Sequence, residues 1–350
     1  MKIALCSTLV PFINGGARIN GGARNIVEWL KSLLEEHGHQ VEIVYLPEVD
    51  SPELLFQQMM AFRWVDLEMA DRIICFRPEA HLIPHRHKII WFIHHIRAFY
   101  DLWDSPYRGF PDDLKHRGIR DALHRVDGAG LREAKAIFTN SRVVSDRLKH
   151  FNQIDSEILY PPVFQSERFR CAGFNDEIVC ICRVEHHKRQ HLLVEALQHT
   201  QTPVRLRLSG ASAGADYPRD LSQRISELGL TDRVSLDNRW ISEEEKVAQL
   251  AHCLAAAYLP LDEDSYGYLS VEASHASKPI LTTSDSGGVL ELVQDGMNGY
   301  ITEPSPEALA DAMDRLYLDR TKTEAMGISA RDRLAELNIS WSHVLQRLLA

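Results

Sequence analysis

Short apolar runs alternate with amphipathic segments along most of the chain. Residues 2–9 form an apolar run that predicts a buried strand rather than a signal peptide, and residues 23–38 carry apolar side chains at helical spacing. Residues 41–45 are apolar again, which completes a predicted strand–helix–strand unit. Such alternation is typical of parallel sheets covered by helices, so the predicted fold class is α/β.

The alternation continues on both sides of one interruption. Further strands are predicted at residues 72–76, 88–93, 136–139, 178–182, 204–209, 234–236, 255–259, 279–283 and 299–301. Two consecutive prolines in Tyr160-Pro161-Pro162-Val163 prevent regular ladder pairing and stiffen the chain there. We therefore place a domain boundary at this point, with Rossmann-like domains over residues 1–163 and 164–337.

Charge and cysteine content exclude several classes of protein. The net charge is −10; residues 1–164 carry 20 Lys+Arg and 21 Asp+Glu, and the remainder carries 19 and 28. No basic half exists, so a nucleic-acid partner is not expected. The six cysteines form no C-x-x-C pair and no run reaches the roughly 20 apolar residues that cross a bilayer. We expect a cytoplasmic protein and leave open peripheral contact with the inner face of the membrane through the N-terminal half.

Two cations follow the predicted strand at residues 178–182. Arg183 and Lys188 would lie at the carboxyl end of a parallel strand, where a guanidinium and an ammonium can hold a diphosphate. The alternative is a solvated basic turn.

Carboxylates and a glycine precede the helix that is predicted to begin near Tyr268. Glu263 and Asp264 come before it, and Glu272 lies about one turn inside. The amides from Gly267 to Leu269 would form an anion site at the helix start, while the carboxylates bind hydroxyl groups. The alternative is that these acidic residues only cap the helix.

A short tandem repeat follows the first predicted strand. The segment Ile-Asn-Gly-Gly-Ala-Arg occurs at residues 13–18 and again at 19–24, and the second copy contains Gly21 and Gly22. These glycines would let backbone amides approach a phosphate or sugar closely, or would form a flexible loop.

Histidines and aromatic residues cluster between residues 81 and 103. His81, His85, His87, His94 and His95 could suggest a metal site, but no cysteine or carboxylate spacing supports one, so an exposed loop is predicted. In the aromatic segment, Trp91 and Phe92 are predicted to be core residues. The stretch 100–103 is predicted to be a sugar-stacking wall.

The order of these motifs resembles that of glycosyltransferase family 4 (group 1) of the GT-B fold, over nearly the whole chain. The matching segments are Gly21-Gly22-Ala23-Arg24, Thr139-Asn140-Ser141, Tyr160-Pro161-Pro162-Val163, Arg183 with Lys188, the carboxylate-glycine block ending in Glu272-Ala273, Ser286-Gly287-Gly288 with Glu291, and Asp295-Gly296 with Asn298-Gly299.

The resemblance implies two Rossmann-like domains whose parallel sheets face each other across a cleft. It implies retaining transfer of a hexosyl group from a UDP- or GDP-sugar to a hydroxyl of a glycan or glycolipid acceptor, in surface polysaccharide or glycolipid synthesis. The first domain would bind the acceptor and the second the nucleotide sugar. No metal and no cofactor are expected, and a helix within residues 338–350 would pack back on the first domain.

Roles carry over residue by residue. Arg183 and Lys188 would neutralise the departing diphosphate. Glu272 would hold the donor ribose, and His94 matches the histidine that faces the donor sugar. The other implied donor contacts are Gly21, Gly22, Gly267, the amides of Tyr268 and Leu269, and, beside the base, Trp240.

The chain departs from the family at its first glutamate. The usual spacing places that residue at Asp264, which is one methylene shorter, with Glu263 as its rival. This departure leaves open a catalytically silent subunit that binds a sugar nucleotide. A sugar-nucleotide epimerase, which would share the GT-B architecture, is a second alternative to a transferase.

Overall fold

The chain forms two compact units, each built around its own sheet. The computed structural model describes residues 1–9, 22–48 and 51–350. One unit comprises Met1–Pro161 and Trp341–Ala350, and the other comprises Pro162–Ser340. We call them the N-terminal and C-terminal domains.

The N-terminal domain is a six-stranded parallel sheet with the strand order β2-β1-β3-β4-β5-β6. Its strands and helices are β1 (Lys2–Leu9), α1 (Gly22–Glu36), β2 (Gln40–Pro47), α2 (Leu55–Arg63), β3 (Arg72–Cys75), β4 (Lys88–Phe92), α3 (Leu114–Arg132), β5 (Ala136–Thr139), α4 (Arg142–Asn152) and β6 (Glu157–Ile158).

The C-terminal domain repeats this plan with the strand order β12-β11-β10-β7-β8-β9. Its elements are β7 (Glu177–Ile181), α5 (Gln190–Ala196), β8 (Arg205–Ser209), α6 (Asp216–Glu227), β9 (Val234–Asp237), α7 (Glu243–His252), β10 (Ala255–Ala257), α8 (Tyr268–His275), β11 (Ile280–Thr283), α9 (Val289–Leu292), β12 (Gly299–Thr302), α10 (Pro306–Leu318) and α11 (Arg320–Glu336).

The last helix, α12 (Trp341–Leu349), packs on the N-terminal domain. It buries Val344 and Leu348, and Arg72 of β3 donates hydrogen bonds to the carbonyls of Leu348 (2.5 Å) and Ala350 (3.0 Å). The guanidinium of Arg347 also pairs with Glu157 of β6 (2.8 Å). An apolar face and two arginines therefore hold the end of the chain on this sheet.

The predicted α/β class with two Rossmann-like parallel sheets is confirmed. Every predicted strand is present within one or two residues at each end, because buried apolar runs bounded by polar turns specify strands well. Cys180 of β7 and Cys182, just after this strand, point the same way, with their Sγ atoms 3.7 Å apart. Among the described residues, no helix is long and apolar enough to cross a membrane.

Two predictions about the segment 81–103 are wrong. Tyr100 and Trp103 are 2% and 4% exposed and belong to the core, so they form no sugar-stacking wall. Three of the five histidines are not on an exposed loop, since His81, His85 and His95 are buried, while His87 is exposed. His81 binds Asp127 (3.1 Å), and His95 binds Asn152 (2.8 Å). These side chains carry polar atoms and were therefore predicted to lie at the surface, but their polar atoms have hydrogen-bond partners inside the domain.

Two helical glycines should respond in opposite ways to the same substitution. A Cβ on Gly327 of α11 would lie 2.0 Å from the carbonyl oxygen of Ser277, whereas a Cβ on Gly118 of α3 meets nothing within 4 Å. We expect Gly327→Ala to lower the free energy of unfolding by about 1–3 kcal/mol through overpacking. Gly118→Ala should raise it by about 0.5–1 kcal/mol because alanine favours helix. Urea denaturation of both variants checks this; stabilisation by both would contradict the close approach of α11.

Candidate functional site

The candidate site of the C-terminal domain lies where its strands end. The chain leaves β7 toward β8 and β9 on one side, and it places β10, β11 and β12 on the other. The strand order therefore changes direction between β7 and β10, which makes this point the switch point of the sheet. In open α/β sheets, ligands bind at such a switch point. We call the edge at which the strands of a sheet end its carboxyl edge.

Lys188 is buried at this switch point. It ends a short 3-10 helix, His186–Lys188, that follows β7, and it is 6% exposed. Its Nζ donates to the hydroxyl of Tyr258 (3.0 Å), which follows β10, and forms an ion pair with Glu263 in the same loop. Tyr258 also donates to Glu263 (3.1 Å). The ammonium predicted to hold a diphosphate is thus fixed by residues of the loop that follows the neighbouring strand.

Glu263 is the carboxylate that pairs with Lys188. Burial opposes ionisation of Glu263, but Lys188 and Tyr258 hold the pKa of its carboxyl below the ordinary value, so it is ionised at neutral pH. Asp264, the preferred match to the family's first glutamate, follows in the same loop and is half-buried.

Arg189 is a central residue that sequence reasoning missed. It has a left-handed φ of 55° and is 8% exposed. Its guanidinium forms two 2.7 Å hydrogen bonds with the carboxylate of Asp285, after β11. It also donates to the carbonyls of Leu259 (2.7 Å) and Pro260 (2.9 Å), after β10. One side chain thus joins three loops of the carboxyl edge; its place beside Lys188 was the available signal.

Two glycines let these loops approach one another. Gly267 has φ +70°, and a Cβ there would lie 2.2 Å from the ring of Tyr258. Gly287 has φ +65°, and a Cβ there would lie 2.4 Å from the carbonyl oxygen of Glu263. Gly267 directly precedes α8, which begins with Tyr268 and Leu269. The first amides of a helix lack intrahelical acceptors, so this end can bind an anion.

Glu272 lies inside α8 and is 4% exposed. Burial raises the pKa of its carboxyl, and the ammonium of Lys246 from α7, 2.5 Å away, opposes this. Lys246 also pairs with Glu243 (2.8 Å). Sequence reasoning missed Lys246, since an ordinary lysine on an amphipathic helix gives no sign of the buried carboxylate that it meets.

The remaining predicted residues of this domain are more exposed. The side chain of Arg183 is 50% exposed, and its Nη1 lies 3.0 Å from Glu185. Trp240, between β9 and α7, is 59% exposed. Arg183 follows β7 and Trp240 follows β9, so both lie in loops of the same carboxyl edge as Lys188.

Three predicted residues belong to the N-terminal domain. Gly21 lies outside the described residues, and Gly22 is the first residue of α1. His94 follows β4, is half-buried, and has its Nδ1 2.6 Å from the carbonyl oxygen of His95. Burial and the charge of Arg77 lower the pKa of His94 to about 3, so the ring is neutral at physiological pH. Because Nδ1 faces a carbonyl it must carry the proton, which leaves Nε2 as an acceptor.

No metal site accompanies these residues in the part of the chain that the structure describes. Residues 1–9, 22–48 and 51–350 contain no group of three or more His, Cys, Asp or Glu side chains that could hold a metal ion.

A family model matches most of the C-terminal domain. Residues 172–333 match the family described as "Glycosyl transferases group 1". This match spans every loop of the candidate site described above, from Arg183 to Gly287. It supports glycosyltransferase activity and agrees with the coarser part of the sequence-based assignment.

Curated relatives match at low identity. Human "Alpha-1,3/1,6-mannosyltransferase ALG2" is 23% identical over 316 residues, which cover 81% of this chain and 72% of the relative. The ALG2 protein of Dictyostelium discoideum is 30% identical over 126 residues, 36% of this chain and 29% of the relative. A "GDP-mannose-dependent alpha-(1-6)-phosphatidylinositol monomannoside mannosyltransferase" of Mycobacterium tuberculosis (strain ATCC 25618 / H37Rv) is 28% identical over 240 residues, 61% of this chain and 59% of the relative.

Solved structures match over the whole chain. Anabaena Alr3699/HepE in complex with UDP superposes with a TM-score of 0.72 at 20% identity, covering 100% of this chain and 98% of that one. Sucrose-phosphate synthase from Thermosynechococcus elongatus superposes with a TM-score of 0.77 at 17% identity, covering 99% and 97%. At these identities the likeness concerns the fold alone. The chain has the GT-B fold.

Two arginines near β7 of this GT-B chain should differ in their effect on stability. Arg189→Ala leaves Asp285 and two carbonyls without their buried donor, so we expect the free energy of unfolding to fall by about 2–4 kcal/mol. Arg183→Ala removes a half-exposed side chain and should change it by less than about 0.5 kcal/mol. Chemical denaturation of both variants tests this, and equal losses would contradict the assignment of Arg189 as the residue that joins the loops.

The depressed pKa of His94 should appear in the pH dependence of stability. A histidine whose folded pKa lies below its unfolded value of about 6.5 contributes stability above that pH and loses it as the pH falls. The slope reaches about 1.4 kcal/mol per pH unit. We expect the wild type to lose more stability between pH 7 and pH 5 than His94→Asn, which keeps a donor toward His95. Urea midpoints at both pH values measure this; parallel losses would mean that His94 is not held neutral.

Proposed function

We propose that this protein is a retaining, metal-independent glycosyltransferase of family 4. It moves a hexosyl group from a UDP- or GDP-sugar to a hydroxyl of a glycan or glycolipid acceptor. The observation that carries the proposal is the cluster of Lys188, Tyr258 and Glu263 at the switch point of the C-terminal sheet, within the segment that matches the group 1 glycosyltransferase model.

Lys188 is suited to the chemistry of a departing diphosphate. Its ammonium has three N–H donors, and Tyr258 and Glu263 are its acceptors among the described residues. A phosphate oxygen can take the third donor. A positive charge that is already in place where negative charge develops stabilises the transition state, and the protein does not have to reorganise during the reaction. Arg183, half-exposed in the same loop system, would add a second cation, and together they would supply the charge that a metal ion supplies elsewhere.

The other donor contacts are assigned around this cluster. The amides of Tyr268 and Leu269 at the start of α8 would bind phosphate oxygens. Glu272 would accept hydrogen bonds from the ribose hydroxyls, and Lys246 beside it opposes the rise that burial causes in the pKa of its carboxyl. Trp240 would lie beside the base. Asp264 and Glu263 would bind hydroxyls of the transferred sugar, with Asp264 preferred for its spacing and Glu263 also paired with Lys188.

The N-terminal domain would bind the acceptor. Gly21 and Gly22 would approach a phosphate or the acceptor, and neutral His94 would face the transferred sugar with Nε2 as a hydrogen-bond acceptor. The names of two relatives specify mannosyl transfer with alpha linkages, and one names a phosphatidylinositol mannoside. The phosphatidylinositol monomannoside in the second name supports a role in glycolipid synthesis. We propose that this role, or one in surface polysaccharide synthesis, belongs to a cytoplasmic protein in peripheral contact with the inner face of the membrane.

Nucleotide binding is the first test of this proposal. We expect the melting temperature to rise with either UDP or GDP, by an equal amount in EDTA and in magnesium, and to remain unchanged with CMP. Lys188→Ala should weaken that shift and lower the rate of transfer or of donor hydrolysis about 10²- to 10³-fold, as loss of one charge-stabilising group does. The anomeric configuration of the product, read from proton NMR coupling, tests retention.

Lys322→Ala is the matched control. Lys322 is exposed on α11, so its loss should leave both readouts at the wild-type level. A shift that requires magnesium would contradict metal independence. Binding without turnover of any sugar nucleotide would favour the silent-subunit alternative, and no shift with UDP or GDP would overturn the donor assignment.

A further inference from the structure

Polar side chains gather at the carboxyl edge of the N-terminal sheet. Thr8 is near the end of β1, Glu48 follows β2, Arg77 and Glu79 follow β3, and His94 follows β4. The switch point of this sheet lies between β1 and β3, since β2 is on one side of β1 and β3 to β6 are on the other. Ligands bind at such points in open α/β sheets.

Arg77 and Glu48 form the fixed part of this group. The guanidinium of Arg77 binds both carboxylate oxygens of Glu48, with Nη1 2.9 Å from Oε2 and Nη2 3.1 Å from Oε1. Thr8 donates to the same carboxylate (3.1 Å). The Nε of Arg77 is buried and has no acceptor among the described residues.

Glu79 is the unusual member. It is 6% exposed, and its carboxyl has no hydrogen-bond partner in the described parts of the chain. Burial, reinforced by the negative charges of Glu48 and Asp127, raises its pKa to about 8 against the opposing charge of Arg77. At neutral pH the carboxyl is therefore mostly protonated and offers an O–H donor.

The backbone at Glu79 is strained as well. Its φ of 63° with ψ of −40° is a conformation that residues with a side chain rarely adopt. Strained backbone and unpartnered buried acids collect at binding sites, because the fold alone gains nothing from them. Another buried acid, Asp127, shows the contrast, since it accepts hydrogen bonds from His81 and from Tyr100 (2.7 Å).

We propose that Glu79, at the same carboxyl edge as the Arg77–Glu48 pair and His94, binds hydroxyl groups of an uncharged polyol acceptor. Hydroxyls both donate and accept hydrogen bonds, and this edge offers a neutral donor in Glu79 and a neutral acceptor in Nε2 of His94. The carboxylate of Glu48 disfavours an anionic ligand group, and the guanidinium of Arg77 disfavours a cationic one. This inference rests on the proposed function, which it deepens by naming residues that select the acceptor.

Saturation-transfer NMR with methyl α-D-mannopyranoside and with myo-inositol tests the proposal. Spectra are recorded with the full chain, with and without the nucleotide diphosphate that raises its melting temperature.

We expect one of the two polyols to bind the wild type. Glu79→Ala should weaken that binding at least tenfold, and Glu79→Gln should bind within about threefold of the wild type. The amide of glutamine keeps an N–H donor in nearly the volume of a protonated carboxyl. Both substitutions retain a Cβ, so the backbone strain is the same in all three proteins.

The matched control is Glu42→Ala, which removes an exposed glutamate from β2 of the same domain and should bind like the wild type. The proposal would be overturned if neither polyol bound the wild type, or if the polyol that binds the wild type bound Glu79→Ala equally well. So would a loss in Glu79→Ala of affinity for a nucleotide sugar but not for the polyols, because Glu79 would then contact the donor. Nucleotide binding in the same samples separates these results from failure of the proposed function itself, which would abolish the nucleotide shift in every variant.

Discussion

In a parallel sheet every strand ends at the same edge. In both domains the charged side chains of the candidate sites lie along that edge. The strands β7, β10 and β11 are neighbours although they are far apart in the chain. Lys188 after β7 therefore reaches Tyr258 after β10, and Arg189 reaches Asp285 after β11. In the N-terminal domain the same constraint brings Arg77 after β3 close to Glu48 after β2. The crossover helices cover the faces of the sheets and leave this edge open to a ligand.

Burial of charge is tolerated here because each charged group has a partner. Lys188 pairs with Glu263, Arg189 with Asp285, and Glu272 with Lys246. A buried charge without a partner would be costly, whereas a partner of opposite charge offsets part of that cost and fixes the position of the charged group. For a site that meets a diphosphate, cations fixed before the ligand arrives are an advantage. Glu79 is the exception in the described chain segments at this edge, since it is neutral and unpartnered, and a ligand hydroxyl would satisfy it.

Local sequence patterns predicted the helices and strands correctly, but they failed for side chains that are both apolar and polar, such as tyrosine and histidine. The bounds of strands such as β1 and β5 were predicted correctly, because a short apolar run in the sequence indicates a buried strand. Tyr100, by contrast, looked like a residue for binding sugars because its ring and hydroxyl suit a surface. In the structure its hydroxyl donates to Asp127 and its ring stacks on His124, so its polar atom is satisfied inside the core.

The sequence by itself determined the α/β class, the two series of strands, and the placement of Lys188, Gly267 and Glu272 at the ends of strands or at a helix start. These features depend on side-chain periodicity and on short motifs, which are local. Only the tertiary structure decided that Glu263 meets Lys188, that Arg189 reaches Asp285, that Lys246 meets Glu272, and that Glu79 is buried without a partner. Such contacts join residues from different strands and helices, and they depend on how each loop turns after its strand, including left-handed turns at Arg189 and Gly287, which no local pattern reveals.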